Sequence, residues 1–218
     1  MLQLRFEEFQ KRAGRLLCLG AHCDDIEIGC GGTILQLLRD YPGTEVFWVV
    51  FSSTARRKAE AINCADLFLK EAAAKTIEVK EFQDGFFPYD GRAIKEYFES
   101  LKAQVTPDLV FTHYRHDAHQ DHQTINQLTW NTFRDHLIFE YEIPKYESDL
   151  GHPNTYIPLE EAICKRKVEL LEEAFPSQSD KHWYTDQTFL AVLKLRGIEC
   201  RAPSGFAEAF HGPKILMG

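Results

Sequence analysis

Five apolar runs, separated by four segments of helical spacing, constrain this chain more than any other feature. Glu45-Val46-Phe47-Trp48-Val49-Val50-Phe51 is almost unbroken, the mark of a strand covered on both faces. Comparable runs occupy residues 15–21, 75–82, 108–112 and 137–141. Between them lie helical patterns at 28–40, 56–74, 91–105 and 122–135; in the third, Ile94, Tyr97, Phe98 and Leu101 share one face. Tyr41-Pro42-Gly43 and Thr106-Pro107 punctuate the series. Strands alternating with helices predict βαβ units and a mostly parallel sheet. Residues 144–158 then turn to Pro, Gly, Asn, Asp and Ser, a long polar loop expected at an active-site rim. Two helices, 159–175 and 184–196, and an irregular C-terminus complete the reading. Nothing in the chain reads as a domain boundary, so residues 1–218 are expected to form one α/β domain. Its predicted form is Rossmann-like and doubly wound, with strand order 3-2-1-4-5.

Composition closes off several function classes. A net charge of −8 argues against a nucleic-acid surface, which needs clustered Lys and Arg. The apolar runs are too short for a membrane span. The charged N-terminal stretch, residues 1–15, lacks a secretory apolar segment, and a cytoplasmic location is expected. Cys18, Cys23, Cys30, Cys64, Cys164 and Cys200 form no CxxC pair and read as reduced thiols. A homo-oligomer is compatible with this pattern.

The first and fourth strands both end in chemistry. Leu16-Leu17-Cys18-Leu19-Gly20-Ala21 runs into His22, Cys23, Asp24 and Asp25; the fourth runs into His113, His116, His119, Asp121 and His122. The predicted order makes these strands neighbours at the switch crevice, where open α/β sheets bind ligands. His22 and Asp25 stand three apart, as do His119 and His122, so each pair can face one point. A catalytic zinc takes three protein ligands and keeps one position for water. Two imidazoles and one carboxylate would leave a net positive site that acidifies that water. Asp24 is placed to take its proton, and a nearby protonated histidine to stabilise an oxyanion and release an amine. His113 and His116 extend the histidine ladder; either is an alternative ligand to His119, but both are expected in the rim loop.

His22-Cys23-Asp24-Asp25-Ile26-Glu27 and His119-Gln120-Asp121-His122 closely resemble the paired motifs, A-H-P-D-D-x-E and H-P-D-H, of the LmbE-like (PIG-L) zinc-dependent N-deacetylases. Weaker similarity continues through Arg57-Lys58-Ala59-Glu60, Pro176-Ser177-Gln178 and Ala207-Glu208-Ala209-Phe210. The resemblance implies one Zn²⁺ per chain held by His22, Asp25 and His122, although Fe²⁺ would accept the same ligands. It implies that Asp24 is the general base, that His119 is the electrostatic or acid partner and that Asp121 orients a histidine. Arg57 would contact substrate. The reaction implied is removal of an acetyl or other acyl group from the amine of an N-acetylglucosamine-type small or carrier-linked sugar, by attack of zinc-bound water. Rival readings are a zinc amidase for a non-sugar amide or thiol conjugate, and a non-catalytic doubly wound nucleotide-binding module.

Cys23 and Gln120 stand where the family patterns have proline; neither change removes a ligand, and Cys23 reads as a bystander. Gly29, Gly31 and Gly32 lack the G-x-G-x-x-G spacing, and acids precede them, so they are expected to serve close helix–strand packing rather than phosphate binding. Asp24 and Asp25 could instead be mere helix-start acids, and Trp183 with His182 could line a sugar site.

Overall fold

The computed structural model describes residue 6 and residues 14–216, so most of the N-terminal stretch discussed above lies outside the described residues. Seven strands form one sheet: β1 (Arg15–Gly20), β2 (Glu45–Val50), β3 (Ala74–Val79), β4 (Leu109–His113), β5 (Leu137–Tyr141), β6 (Thr155–Pro158) and β7 (Ala207–His211). The helices are α1 (Asp25–Asp40), α2 (Ala55–Phe68), α3 (Gly91–Gln104), α4 (Gln120–Thr132), α5 (Glu161–Ala174) and α6 (Asp186–Cys200). The sheet order is β3-β2-β1-β4-β5-β7-β6. The expected 3-2-1-4-5 block is present and entirely parallel, with Leu17 paired to Val110 and Cys18 to Phe111 across the switch point.

Strand alternation sorts the core into two layers. Leu16, Cys18, Trp48, Val50 and Phe111 point to one face, under α1, α2, α5 and α6. Leu17, Leu19, Val49, Phe51 and Val110 point to the other, under α3 and α4. Gly29 of α1 serves helix–strand packing, as expected, while Gly31 packs helix on helix. A Cβ on Gly29 would stand 2.2 Å from Tyr141 of β5, and one on Gly31 would stand 2.6 Å from Phe68 of α2. Only a bare backbone lets this helix sink so deep.

Two expectations need correction. The C-terminus is not irregular: Ala207–His211 forms β7, antiparallel to β5 and to β6. Residues 144–158 are not all loop, because Thr155–Pro158 forms the edge strand β6, with Pro158 at its end where no ladder donor is missed. Glu208 hid β7 by interrupting its apolar pattern; that carboxylate is buried, accepting from the N–H of Gly32 (2.8 Å) and Thr33 (2.6 Å) and from Lys167 Nζ (2.6 Å). No helix among the described residues is long and apolar enough to cross a membrane.

Candidate metal centre

The C-terminal ends of β1 and β4 bring the two motifs together. Ser52 N donates to Ala21 O, so the strand pairing carries on past β1 and fixes the start of His22–Asp25. The backbone N–H of His22 donates to Asp25 Oδ2 at 2.6 Å, which folds the carboxylate back over its own turn. Asp24 occupies the N-cap position of α1 without making a side-chain cap bond, so helix capping does not account for it. Its Oδ1 accepts instead from Arg57 Nη2 at 2.8 Å. On the other side, His119 caps α4: its Nδ1 accepts from the N–H of Asp121 at 3.2 Å.

Three donor atoms then meet. His22 Nδ1 lies 3.2 Å from His122 Nε2 and 3.4 Å from Asp25 Oδ2, and His122 Nε2 lies 3.6 Å from Asp25 Oδ2. Bonds of about 2.0–2.1 Å to a tetrahedral centre require donor–donor edges of about 3.3 Å. The triangle therefore has the dimensions of one face of a zinc tetrahedron. Overlapping sets, His22 with His119 and His122, and Asp25 with His113 and His122, also gather within 4.8 Å.

Hydrogen bonds show which ring nitrogens face the triangle. His122 Nδ1 pairs with Asp117 Oδ2 at 2.8 Å, leaving Nε2 toward the triangle. His22 Nε2 faces Asp84 Oδ1 at 3.0 Å and Asp121 Oδ2 at 3.3 Å, leaving Nδ1 toward the triangle. Metal-binding histidines characteristically hand their second ring nitrogen to a carboxylate in this way. His113, by contrast, accepts from the N–H of Ala21 through Nε2 at 2.9 Å, and its ring stacks on His122 with centroids 3.8 Å apart. It is wholly buried, as the last residue of β4, and not in the rim loop; the strand simply runs one residue further than its apolar pattern. His116 is exposed.

Electrostatics prepare these groups. Burial and the neighbouring His113 push the pKa of His122 down to about 4, so it stands as a neutral imidazole. Burial opposes the charge on Asp25, but His122, His113 and His22 outweigh it and hold its pKa well below the usual carboxylate range. Burial likewise opposes a charge on His22, and the carboxylates of Asp25, Asp121 and Asp84 overcome it, raising that pKa. Burial raises Asp24 despite the opposing pull of Arg57. A neutral imidazole, an ionised carboxylate and a second imidazole whose far nitrogen is held by acids are a donor set suited to a borderline divalent ion such as zinc.

The remaining predicted residues surround the triangle. Asp121 is buried, and besides His22 its carboxylate accepts from the N–H of Gly85 (2.6 Å) and Phe87 (3.1 Å), pinning the loop between β3 and α3. That loop delivers Asp84. A cavity of about 270 Å³ opens over the triangle, with Asp24, Arg57 and His119 on its wall. Lys145, Tyr146 and Glu147 from the polar loop and Trp183 complete the rim, so part of the 144–158 segment lies where it was expected. Arg57 faces the cavity but spends one nitrogen on Asp24. Cys23 points away: its thiol donates to Ser52 O at 3.3 Å, and burial pushes its pKa up to about 12.

Sequence reasoning missed Asp84, Asp117 and Lys145. Asp117 binds both His122 and, through Oδ1, the N–H of His119 at 2.8 Å, while Lys145 Nζ lies 3.0 Å from Asp117 and 2.6 Å from Asp149. The one available signal was Asp117 itself, an acid inside the histidine ladder.

A family model described as PIG-L, GlcNAc-PI de-N-acetylase, matches residues 17–133, over half of the 218-residue chain and a span containing both motifs. Among solved structures, the N,N'-diacetylchitobiose deacetylase of Pyrococcus horikoshii is similar with a TM-score of 0.70 at 20% identity, over 95% of this chain and 86% of that one. The 4-carboxy-2-hydroxymuconate hydratase GalB of Pseudomonas putida KT2440 gives 0.71 at 15% identity, over 94% and 99%. The zinc-inhibited form of the teicoplanin deacetylase Orf2 gives 0.69 at 14% identity, over 90% and 96%. These likenesses establish the fold; with a hydratase among them, the fold alone does not select a reaction.

Proposed function

The chain belongs to the PIG-L family, and from that premise we propose that it is a metal-dependent hydrolase that removes an acetyl or other short acyl group from the amine of a small, sugar-like molecule. The observation that carries this reading is the triangle of His22 Nδ1, Asp25 Oδ2 and His122 Nε2, with edges of 3.2–3.6 Å and a cavity on its open side. These three side chains would hold zinc. A divalent ion there would supply a Lewis acid and make water nucleophilic at neutral pH.

The residues around it supply the proton chemistry. Asp24, buried and raised in pKa, is a stronger base than an exposed carboxylate, and the Arg57 guanidinium at 2.8 Å favours its ionised form. It takes the proton lost as water attacks the amide carbonyl. His119 accepts from the backbone at Nδ1, so its ring proton resides on Nε2. That N–H can stabilise the developing oxyanion, and the proton taken by Asp24 is then available to the departing amine. Asp121 and Asp117 keep His22 and His122 in their orientation. The faces of Trp183 and Tyr146 on the cavity wall suit a pyranose ring.

The test is metal content followed by product release. The purified protein is expected to carry about one zinc per chain, to lose activity to a chelator and to regain it with zinc. It should liberate acetate from at least one N-acetylglucosamine derivative. A protein that binds no divalent ion would end this reading. Acetate from non-sugar amides or thiol conjugates alone would move it to the rival amidase.

A further inference from the structure

We propose that Ile28 and Ile143 form the floor on which the substrate's acyl group rests and so set its length, an inference that rests on the acyl-hydrolase reading above. The wall of the cavity over the donor triangle is charged, imidazole or aromatic except at these two residues, which supply its aliphatic surface. Ile28 follows Asp25 by one turn of α1 and so stands on the same helix face as that donor. Ile143 lies just beyond the end of β5. When an amide carbonyl faces the donor triangle, the attached alkyl tail must leave water, and the surface that favours it is apolar.

Behind this floor lies a second, smaller cavity of about 20 Å³, room for about one water. Ile28 lines both cavities. Along residues 142–145 the side chains alternate: Ile143 and Lys145 face the donor cavity, while Glu142 and Pro144 face the one behind. Phe189, Val192 and Leu193 of α6 line it as well, beside the ion-paired Lys167–Glu208 and Arg196–Glu142. At Ile28 the partition is therefore a single side chain thick, and both isoleucines are buried, at 6% and 4% exposure. A methyl group can rest on it. A longer chain runs into it.

Truncating Ile28, which lines both cavities, should join the two spaces, and truncating Ile143, which lines the donor cavity alone, should deepen that cavity. The test uses the zinc-loaded protein with acetate and butyrate as probes, their affinities measured by calorimetry in the wild type, Ile28→Ala and Ile143→Ala. The milder Ile28→Val and Ile143→Val serve if an alanine variant does not fold. Each methylene newly buried strengthens binding about fourfold, so the butyrate-to-acetate affinity ratio should rise roughly tenfold in at least one alanine variant and less in the valine variants. The ratio of butyrate to acetate released from N-acylglucosamines should move the same way. Folded variants that bind acetate but keep the wild-type ratio would overturn the partition while leaving the acyl-hydrolase reading intact. A wild-type protein that binds neither acid and releases neither would instead overturn that reading, and the partition with it.

Discussion

Helix α1 carries two buried polar clusters that look alike by burial and differ in saturation. At its middle, Lys167 and Glu208 form an ion pair at 2.6 Å with both side chains 3% exposed. Lys167 Nζ also donates to Ile28 O, and Glu208 also accepts from Gly32 and Thr33, so each charge is met from several sides. At its first turn, Asp25 Oδ2 shares a point in space with His22 Nδ1 and His122 Nε2, three atoms able to ligate a metal ion. Burial of charge is common to both, so it does not mark the functional one. Potential ligand atoms converging on a point beside a cavity do. On the proposed reading the first cluster belongs to the fold and the second to chemistry, and that division can be broken experimentally.

The largest effect should come from Asp24→Asn. Loss of a positioned general base costs about 10²–10⁴-fold in rate, while zinc content stays at one per chain because Asp24 is outside the donor triangle. Steady-state rates with metal analysis check both halves. Loss of zinc together with activity would put Asp24 among the ligands.

Next comes the saturated cluster. Glu208→Ala leaves Lys167 charged and buried without its partner, a change worth about 3–5 kcal/mol of stability. Lys167→Met should cost less, since Glu208 keeps the N–H groups of Gly32 and Thr33. Denaturant unfolding measures both. The surviving folded fraction should still bind one zinc; if it does not, the two clusters are one device acting through α1.

Smaller still is Asp117→Asn. The amide can accept a hydrogen bond from His122 Nδ1 but holds it less strongly, and changes of this kind weaken metal affinity about 10–100-fold. Zinc competition against a chelating dye reads this directly. An unchanged affinity would show that packing against His113 alone orients His122.

The contrast between the clusters also explains what the amino-acid order disclosed. The convergence of the proposed donors was legible because each motif is local: His22 and Asp25 lie within one turn, as do His119 and His122, and the parallel order of β1 and β4 follows from helix-separated apolar runs. The residues that serve them were not, because each comes from a segment without periodicity. Asp84 arrives on a turn held by Asp121, and Lys145 on the loop after β5. Glu208 concealed β7 for a related reason: its partners are the backbone of α1 and a lysine of α5, far apart in the chain. His113 misled because a histidine after Thr112 reads as the start of a loop, whereas its ring completes the buried stack under His122.

Asp84→Asn should have the smallest effect. Two carboxylates compete for the single proton on His22 Nε2: Asp84 at 3.0 Å and Asp121 at 3.3 Å. Distance favours Asp84, and its pKa is held down to about 2 by the bond to His22. Burial favours Asp121, whose side chain is fully enclosed while that of Asp84 is 65% exposed. Water screens the exposed group, and exposed ion pairs are worth about 0–1 kcal/mol. Asp121 is in addition fixed by two backbone N–H groups, so it needs no reorganisation to take the whole bond. Asp84→Asn should therefore change zinc affinity by less than about fivefold, against the larger loss in Asp117→Asn, where His122 Nδ1 has one carboxylate and no substitute. Equal losses in the two variants would mean that Asp84, not Asp121, holds His22 in place, and would make the loop between β3 and α3 a working part of the metal centre.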